Sequence, residues 1–261
     1  MFSLENKITV ITGGSSGIGE AAARRFGNAG AKVVIASRRD AGALAREIGG
    51  VWIQTDVSVE SQVKSCMDET AATFGGIDVL INNSGYSGPT QDIGSSDAEE
   101  YFENLKVNTL GPLFGIKHAL PHMRRGGSII TTTSLASIIG LPGYGAYTAS
   151  KFATTGLLKC AAVELGPLGI RVNEICPTSV DTPMLWGQDS ADTEIAMTQT
   201  ASPLGRIVQP QEIAALMHFL AADDCSAISG HQFVVDGGQT AGPSIASLEA
   251  MLAAREAREA S

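Results

Sequence analysis

Lys7-Ile8-Thr9-Val10-Ile11-Thr12-Gly13-Gly14-Ser15-Ser16-Gly17-Ile18-Gly19 decides the fold. Lys7 to Ile11 is a short β-branched run of the kind that forms a buried strand. Glycines then dominate the turn, and helical period follows from Ile18 to about Asn28. Glycine lets the backbone turn sharply and approach a pyrophosphate without Cβ clashes. The helix behind it would present N–H donors and a positive dipole end. The spacing is G-x-x-x-G-x-G rather than the commoner G-x-G-x-x-G, so a tight βα turn without a ligand also fits.

The same alternation continues outward. Strand patterns recur at Lys32–Ala36, Val51–Gln54, Ile77–Ile81, Ser128–Thr132, Ile170–Ile175 and Gln232–Val235, with helical period between them. This is the signature of parallel βαβ units. It predicts an α/β fold: a Rossmann-type doubly wound parallel sheet of about seven strands flanked by helices, in a single domain over residues 1–240. Residues 241–261 read as a helical tail, from Ser244 to Ala257, with alternating Glu and Arg. Ser96-Asp97-Ala98-Glu99 fits a capping box, and Pro210 suits a first helical position after Gln209. Gly187 to Ser202 is polar and weakly periodic, and reads as a surface loop or a lid.

Bulk properties narrow the function. A chain of 261 residues with 44% hydrophobic and 17% charged residues buries one large core. Its net charge of −9 disfavours nucleic acid and anionic membrane as partners. Cys66, Cys160, Cys176 and Cys225 are scattered, with neither C-x-x-C nor metal-ligand spacing, and the four histidines form no zinc motif. No metal is expected. Reduced cysteines, the lack of a signal-peptide pattern and the lack of a membrane-length apolar run point to the cytoplasm.

Tyr147-Thr148-Ala149-Ser150-Lys151, with Ser134 upstream, carries the chemistry. Tyrosine and lysine four apart lie on one helix face. An ammonium there favours the phenolate, which a free phenol of pKa about 10 resists. A bare Y-x-x-x-K is usually only an aromatic and a solvated lysine, so its company matters. Ser37-Arg38-Arg39 at the end of the second strand puts no carboxylate before Asp40. Guanidinium groups suit a 2′-phosphate, so NADP is expected, with NAD as second choice. Asn108 is a poor helix former within a helical stretch, which points to a site role or a kink.

Together these residues resemble the short-chain dehydrogenase/reductase family over residues 5 to 240. The resemblance rests on Thr12 to Gly19, Asn82-Asn83-Ser84-Gly85, Val107-Asn108-Thr109, Ser134, Tyr147 to Lys151 and Pro177 to Met184. It implies transfer of a hydride between nicotinamide and a secondary alcohol or ketone. Tyr147 would be the general acid or base, and Lys151 would hold the nicotinamide ribose and depress the Tyr147 pKa. Ser134 would hold the substrate oxygen, and Asn108 a water linking Lys151 to solvent. Gly13, Ser15, Ser16, Gly17, Ile18 and Gly19 would cradle the cofactor, with Ser37, Arg38 and Arg39 at its ribose. Asp56 and Val57 would meet the adenine; helix-start capping is the other reading of Asp56. Asn82, Ser84 and Gly85 would line the site, with Pro177, Val180 and Thr182 on the carboxamide side. Thr178 and Ser84 depart from the family's usual glycine and alanine.

Leu135, Ser137, Ile138, Ile139, Leu141, Tyr144, Met184, Leu185 and Trp186 are the expected pocket walls, although several could simply pack the core. They favour an uncharged, fairly hydrophobic or alicyclic substrate. A 3-oxoacyl-[acyl-carrier-protein] reductase is the alternative, with Arg124-Arg125 as the one basic pair offered to a carrier. A non-catalytic dinucleotide-binding sensor is an alternative of another class, and dehalogenation on the same fold a third. The resemblance also implies a homotetramer or homodimer, with Ala153, Gly156 and Ala161 leaving one helix closely packable.

Overall fold

A computed structural model describes residues 2–259. Seven strands form one parallel sheet: β1 (Ile8–Thr12), β2 (Lys32–Ser37), β3 (Val51–Gln54), β4 (Ile77–Asn82), β5 (Met123–Thr132), β6 (Arg171–Pro177) and β7 (Gln232–Val235). Their order across the sheet is β3-β2-β1-β4-β5-β6-β7, and every neighbour pair is parallel. The chain therefore reverses direction of winding between β1 and β4. In open α/β sheets, ligands bind at that switch point, outside the carboxyl ends of the strands.

Helices cover both faces. One face carries α1 (Gly17–Asn28), α2 (Gly42–Glu47) and α9 (Pro210–Ala221), which bury Phe26, Leu44, Ile213 and Met217 against Ile11, Ile35 and Ile175. The other carries α3 (Glu60–Phe74), α5 (Gly111–Ala119) and α6 (Gly145–Leu165), with Met67, Ile116 and Leu158 against Val10, Leu80 and Ile129. Strands buried on both faces read as continuous apolar runs, which is why the sheet was legible without alternation. Next to α6 lies α4 (Ala98–Leu105), joined to α5 by a π-helical segment, Lys106–Leu110.

Three expectations change. β5 starts at Met123 rather than Ser128, because its first pairing, Ile77 with Met123, is separated by a bulge from the regular register beginning at Val79 and Ser128. Asp97, not Ser96, caps α4, its carboxylate accepting from Glu99 N at 3.0 Å. Gly187 to Ser202 is no loop: α7 (Pro183–Trp186) precedes it and α8 (Ala191–Ala201) fills most of it. The Pro210 start of α9 stands, with Gln209 and Glu212 forming a capping box. The tail forms α10 (Ile245–Glu259), which leaves Ile245, Met251 and Leu252 exposed and meets α8, where Ser247 Oγ donates to Thr200 O.

Candidate active site

The cofactor side is built from backbone. Thr12 ends β1, and its hydroxyl accepts from Asn83 N at 3.0 Å and Ser84 N at 3.2 Å, tying β1 to the end of β4. Gly13 follows with φ +66°, its N–H donating to Ala36 O at 2.8 Å. A Cβ on Gly19 would stand 2.2 Å from Gly13 O, so no larger residue fits there. A Cβ on Gly17, at φ +54°, would lie 3.0 Å from Thr182 Cγ2, so the loop after β6 lies over the turn. Ser16 sits at the start of α1 in extended conformation and caps none of the helix N–H groups with its side chain. Uncapped donors behind a glycine turn fit an anionic pyrophosphate.

At the carboxyl end of β2, Ser37 is buried. Its hydroxyl donates to Arg39 O at 2.8 Å and accepts from Trp52 Nε1 at 3.1 Å, so it is committed within the protein. Arg38 and Arg39 are exposed, and the Arg39 guanidinium reaches the Ser16 hydroxyl across the mouth of the turn. Asp40 accepts from Gly42 N at 2.7 Å and helps start α2. Asp56 accepts from Ser58 N and Ser58 Oγ. Burial pushes its carboxyl up, but those two bonds and the nearby Arg38 charge outweigh it and hold the group below its ordinary value. Val57 is buried against Gly111. Asp56 Oδ1 thus helps turn the chain into α3, as do its main-chain bonds to Gln62 Oε1 and Val59 N, and Val57 packs inward. Asn82 behaves similarly: it is buried between strands, its Nδ2 3.5 Å from Thr131 Oγ1.

The catalytic side is built from side chains. Ser134 follows β5, its Oγ accepting from Ala136 N at 3.1 Å and lying near enough to Tyr147 to favour the ionised phenol. Tyr147 lies in the first turn of α6 and is half-buried. Burial pushes the phenol up to about 12, against the lowering pull of Ser134. Lys151, one turn on, is buried and donates to Thr132 O at 3.2 Å, with its nitrogen 5.4 Å from the Tyr147 ring centroid. Burial pulls that ammonium down to about 8, while Cys176 and Glu174 nearby favour the charge. Burial thus sets the direction of the Tyr147 shift and favours the protonated phenol.

Asn108 sits in the π-helical segment, a distortion often found at functional sites. Its Oδ1 accepts from Tyr86 N at 2.9 Å, and its Nδ2 donates to Tyr86 O at 2.7 Å and Ser150 Oγ at 2.9 Å. Its main-chain carbonyl accepts from Thr154 Oγ1 at 2.8 Å. The side chain thus braces the segment after Gly85 against α6, and its amide has no group left over. A Cβ on Gly85 would lie 3.6 Å from Asn108 Oδ1, 3.7 Å from Met184 Cε and 3.9 Å from Lys151 Nζ, so Gly85 marks the floor where these groups meet.

Beyond β6, Pro177 and Val180 are buried, and Val180 bridges to Val208. Thr178 donates to Gln239 Oε1 at 2.8 Å, which gives the departure from glycine a structural use. Of the expected walls, Leu135, Ser137 and Leu185 are buried and pack inward, whereas Ile139, Met184 and Trp186 are exposed beside the cleft. Tyr144 meets Tyr147 edge-on at 6.4 Å. Sequence reasoning missed Ser179, Gln188 and Glu194, which surround the Tyr144 hydroxyl or bond one another. The missed signal was Ser190 followed by Asp192 and Glu194, an acidic first turn that marks a helix start.

Comparison with known proteins agrees with this geometry. A family model described as enoyl-(acyl carrier protein) reductase matches residues 13–240. The chain belongs to this family of short-chain dehydrogenases/reductases. It is 37% identical to the mitochondrial borneol dehydrogenase of Lavandula x intermedia, over 90% of this chain and 91% of that one. To the L-fucose dehydrogenase of Mus musculus it is 39% identical, over 90% and 89%. The ligand-free aldohexose dehydrogenase of Thermoplasma acidophilum superposes with a TM-score of 0.84 at 34% identity, covering 93% of this chain and 97% of that one. The protein is an NAD(P)-dependent oxidoreductase acting on CH–OH and C=O groups. No helix among the described residues is long and apolar enough to cross a membrane.

Proposed function

We propose that the protein transfers a hydride between NADP(H) and an uncharged, fairly hydrophobic or alicyclic secondary alcohol or ketone. The observation that carries the reading is the buried Lys151 one turn after Tyr147, its nitrogen 5.4 Å from the phenol ring centroid, with Ser134 close by. Bound reduced nicotinamide supplies the hydride. Ser134 then orients the carbonyl oxygen, and Tyr147 gives that oxygen its proton; alcohol oxidation runs the same transfers backwards. Lys151 would restore the Tyr147 proton and hold the nicotinamide ribose, while Asn108 braces the segment after Gly85 against α6. Gly13, Ser15, Ser16, Gly17, Ile18 and Gly19 would hold the pyrophosphate, with Ser84, Gly85 and Thr182 lining the cofactor. Pro177 and Val180 shape the loop that carries Thr182 from within the core.

Arg38 and Arg39 support NADP over NAD, since both are exposed at the end of β2 and no free carboxylate precedes Asp40. Exposed Tyr86, Ile139, Met184 and Trp186 support an apolar substrate, and the name of the borneol enzyme agrees. The acyl-carrier alternative loses its docking pair: Arg124 and Arg125 stand at the amino end of β5, opposite the site, and Arg124 is bound to Asp78 and Gly75 O. A sensor role would leave Tyr147 and Lys151 without employment.

Assembly into a homodimer or homotetramer is supported by exposed Phe102, Leu110, Phe152 and Val163 on α4, the π segment and α6. Ala153 and Gly156 share that exposure, but Ala161 is buried in the core. Residues 1–240 form the catalytic unit and 241–261 an appendage. Free Cys66, Cys160, Cys176 and Cys225 support a cytoplasmic location. Steady-state rates with cyclic and acyclic ketones and both cofactors test the reading. Turnover confined to charged acids or sugars, or a tenfold preference for NADH, would reject it.

A further inference from the structure

The Tyr144 hydroxyl has one proton and two strong acceptors around it. Gln188 Oε1 lies 2.7 Å away and Glu194 Oε2 3.3 Å away. Ser190 Oγ, at 3.5 Å, is a third neighbour that can donate or accept. The Gln188 orientation is fixed because its Nε2 donates to Met184 O at 3.3 Å. Glu194 is held at its other oxygen by Ser179 Oγ at 2.7 Å, so its carboxylate cannot swing away without breaking that bond. The phenol proton belongs to the shorter contact, with Gln188. Glu194 Oε2 is then an acceptor short of a donor, on the helix that roofs the cleft.

This oxygen touches the neighbour of Tyr147. Tyr144 stands edge-on to Tyr147, and Glu194 is close enough to be among the charges that push the Tyr147 phenol up. The surrounding segments reinforce the sign. Residues 134–146 carry no charge, residues 84–97 carry Asp92 and Asp97, and residues 178–209 carry Asp181, Asp189, Asp192 and Glu194. Arg206 is the one cation in these three segments, and it is paired with Glu212 at 2.8 Å.

We propose that Glu194 is a specificity-determining residue: its carboxylate oxygen beside Tyr144, only weakly held by that phenol, accepts a hydrogen bond from a second hydroxyl on the substrate and repels substrates bearing a carboxylate. This rests on the oxidoreductase reading above and deepens it, adding a polar handle to an otherwise apolar ring. A hydrogen bond to a charged acceptor in a partly open cleft is expected to change catalytic efficiency by about tenfold or more.

The test uses one ring with three substituents: 4-methylcyclohexanol, the cyclohexanediols and 4-hydroxycyclohexanecarboxylate, oxidised by the full chain with NADP and with NAD. The best diol is expected to exceed 4-methylcyclohexanol in kcat/KM by about tenfold, with the carboxylate last. Glu194→Ala should reduce the diol-to-methyl ratio to near one, mostly through KM. Glu194→Gln keeps the shape and the Ser179 contact, and should raise kcat/KM for the carboxylate by about tenfold. Circular dichroism and NADPH binding confirm that each variant folds. A diol-to-methyl ratio near one in the wild type, or one that survives in both folded variants, overturns the role of Glu194 and leaves the oxidoreductase reading standing. Should only aldoses such as L-fucose turn over, the hydrophobic reading fails. Glu194 is then judged by its own arm, where a loss under twofold in Glu194→Ala rejects it. No turnover of any alcohol with either cofactor sinks both.

Discussion

Between β1 and α1 the cleft is made of backbone; around Tyr147 it is made of side chains. In the first region Gly13, Gly17 and Gly19 leave space that any Cβ would fill, and the helix start offers N–H groups. In the second, Ser134 follows β5, Asn108 sits in the π segment, and Tyr147 and Lys151 share α6, with Lys151 bonded to Thr132 O and Asn108 to Ser150 Oγ. A backbone site binds what every dinucleotide shares. A side-chain site tunes protons, and it can be retuned one residue at a time. The two regions should therefore fail in different ways.

Lys151→Met should break the side-chain region most deeply, lowering kcat/KM by about 1000-fold, within the range of lost acid–base groups. It also has a signature in stability. Lys151 titrates at about 8 in the fold against an ordinary 10.5, so the unfolded chain binds more protons between those values and stability rises with pH across them. Tyr147, at about 12 against 10, has the opposite effect from pH 10 upward. Urea midpoints measured from pH 7 to 10 should climb in the wild type and climb less in Lys151→Met; equal slopes would contradict the buried ammonium.

Gly19→Ala should break the backbone region. Its Cβ would meet Gly13 O at 2.2 Å, so the turn must open, and NADPH binding by fluorescence should weaken by about 100-fold. Activity at saturating cofactor should recover far better than in Lys151→Met. Arg38→Ala sharpens the edge of that region: kcat/KM with NADPH should fall by about tenfold, the size of a charge-assisted bond, and change less than twofold with NADH. Equal losses with both cofactors would remove the phosphate role. The smallest effect lies outside both regions. Asp97→Ala should lower stability by about 1 kcal/mol in urea titration, and Ser96→Ala by little, because Asp97 holds the cap.

The same contrast explains what could be read from sequence. Parallel strands are apolar runs, and glycine turns mark where the backbone must bend, so the sheet and the cradle were legible. Tyr147, Lys151, Ser134 and Asn108 were legible as a set because their spacing is local or their chemistry unusual. What Ser37, Asp56, Val57 and Asn82 do was not. Each sits at the right place along the chain, but its side chain is turned inward to Trp52, Ser58, Gly111 or Thr131. Orientation at a strand end depends on neighbours that sequence spacing does not specify. Glu194 was hidden for another reason: α8 has weak apolar period, so its acidic first turn passed for a polar loop. Desolvation of Tyr147 was equally invisible, since burial at a helix start is set by packing from distant segments.

The most direct measurement is single-turnover reduction of a cyclic ketone by the NADPH-bound protein, comparing wild type with Tyr147→Phe across pH 5.5 to 7. The wild-type rate should be flat over that range, because a phenol at about 12 stays protonated. Tyr147→Phe should slow the step by about 1000-fold while NADPH affinity stays within about twofold. A Tyr147→Phe rate within about tenfold of wild type would show that another group delivers the proton.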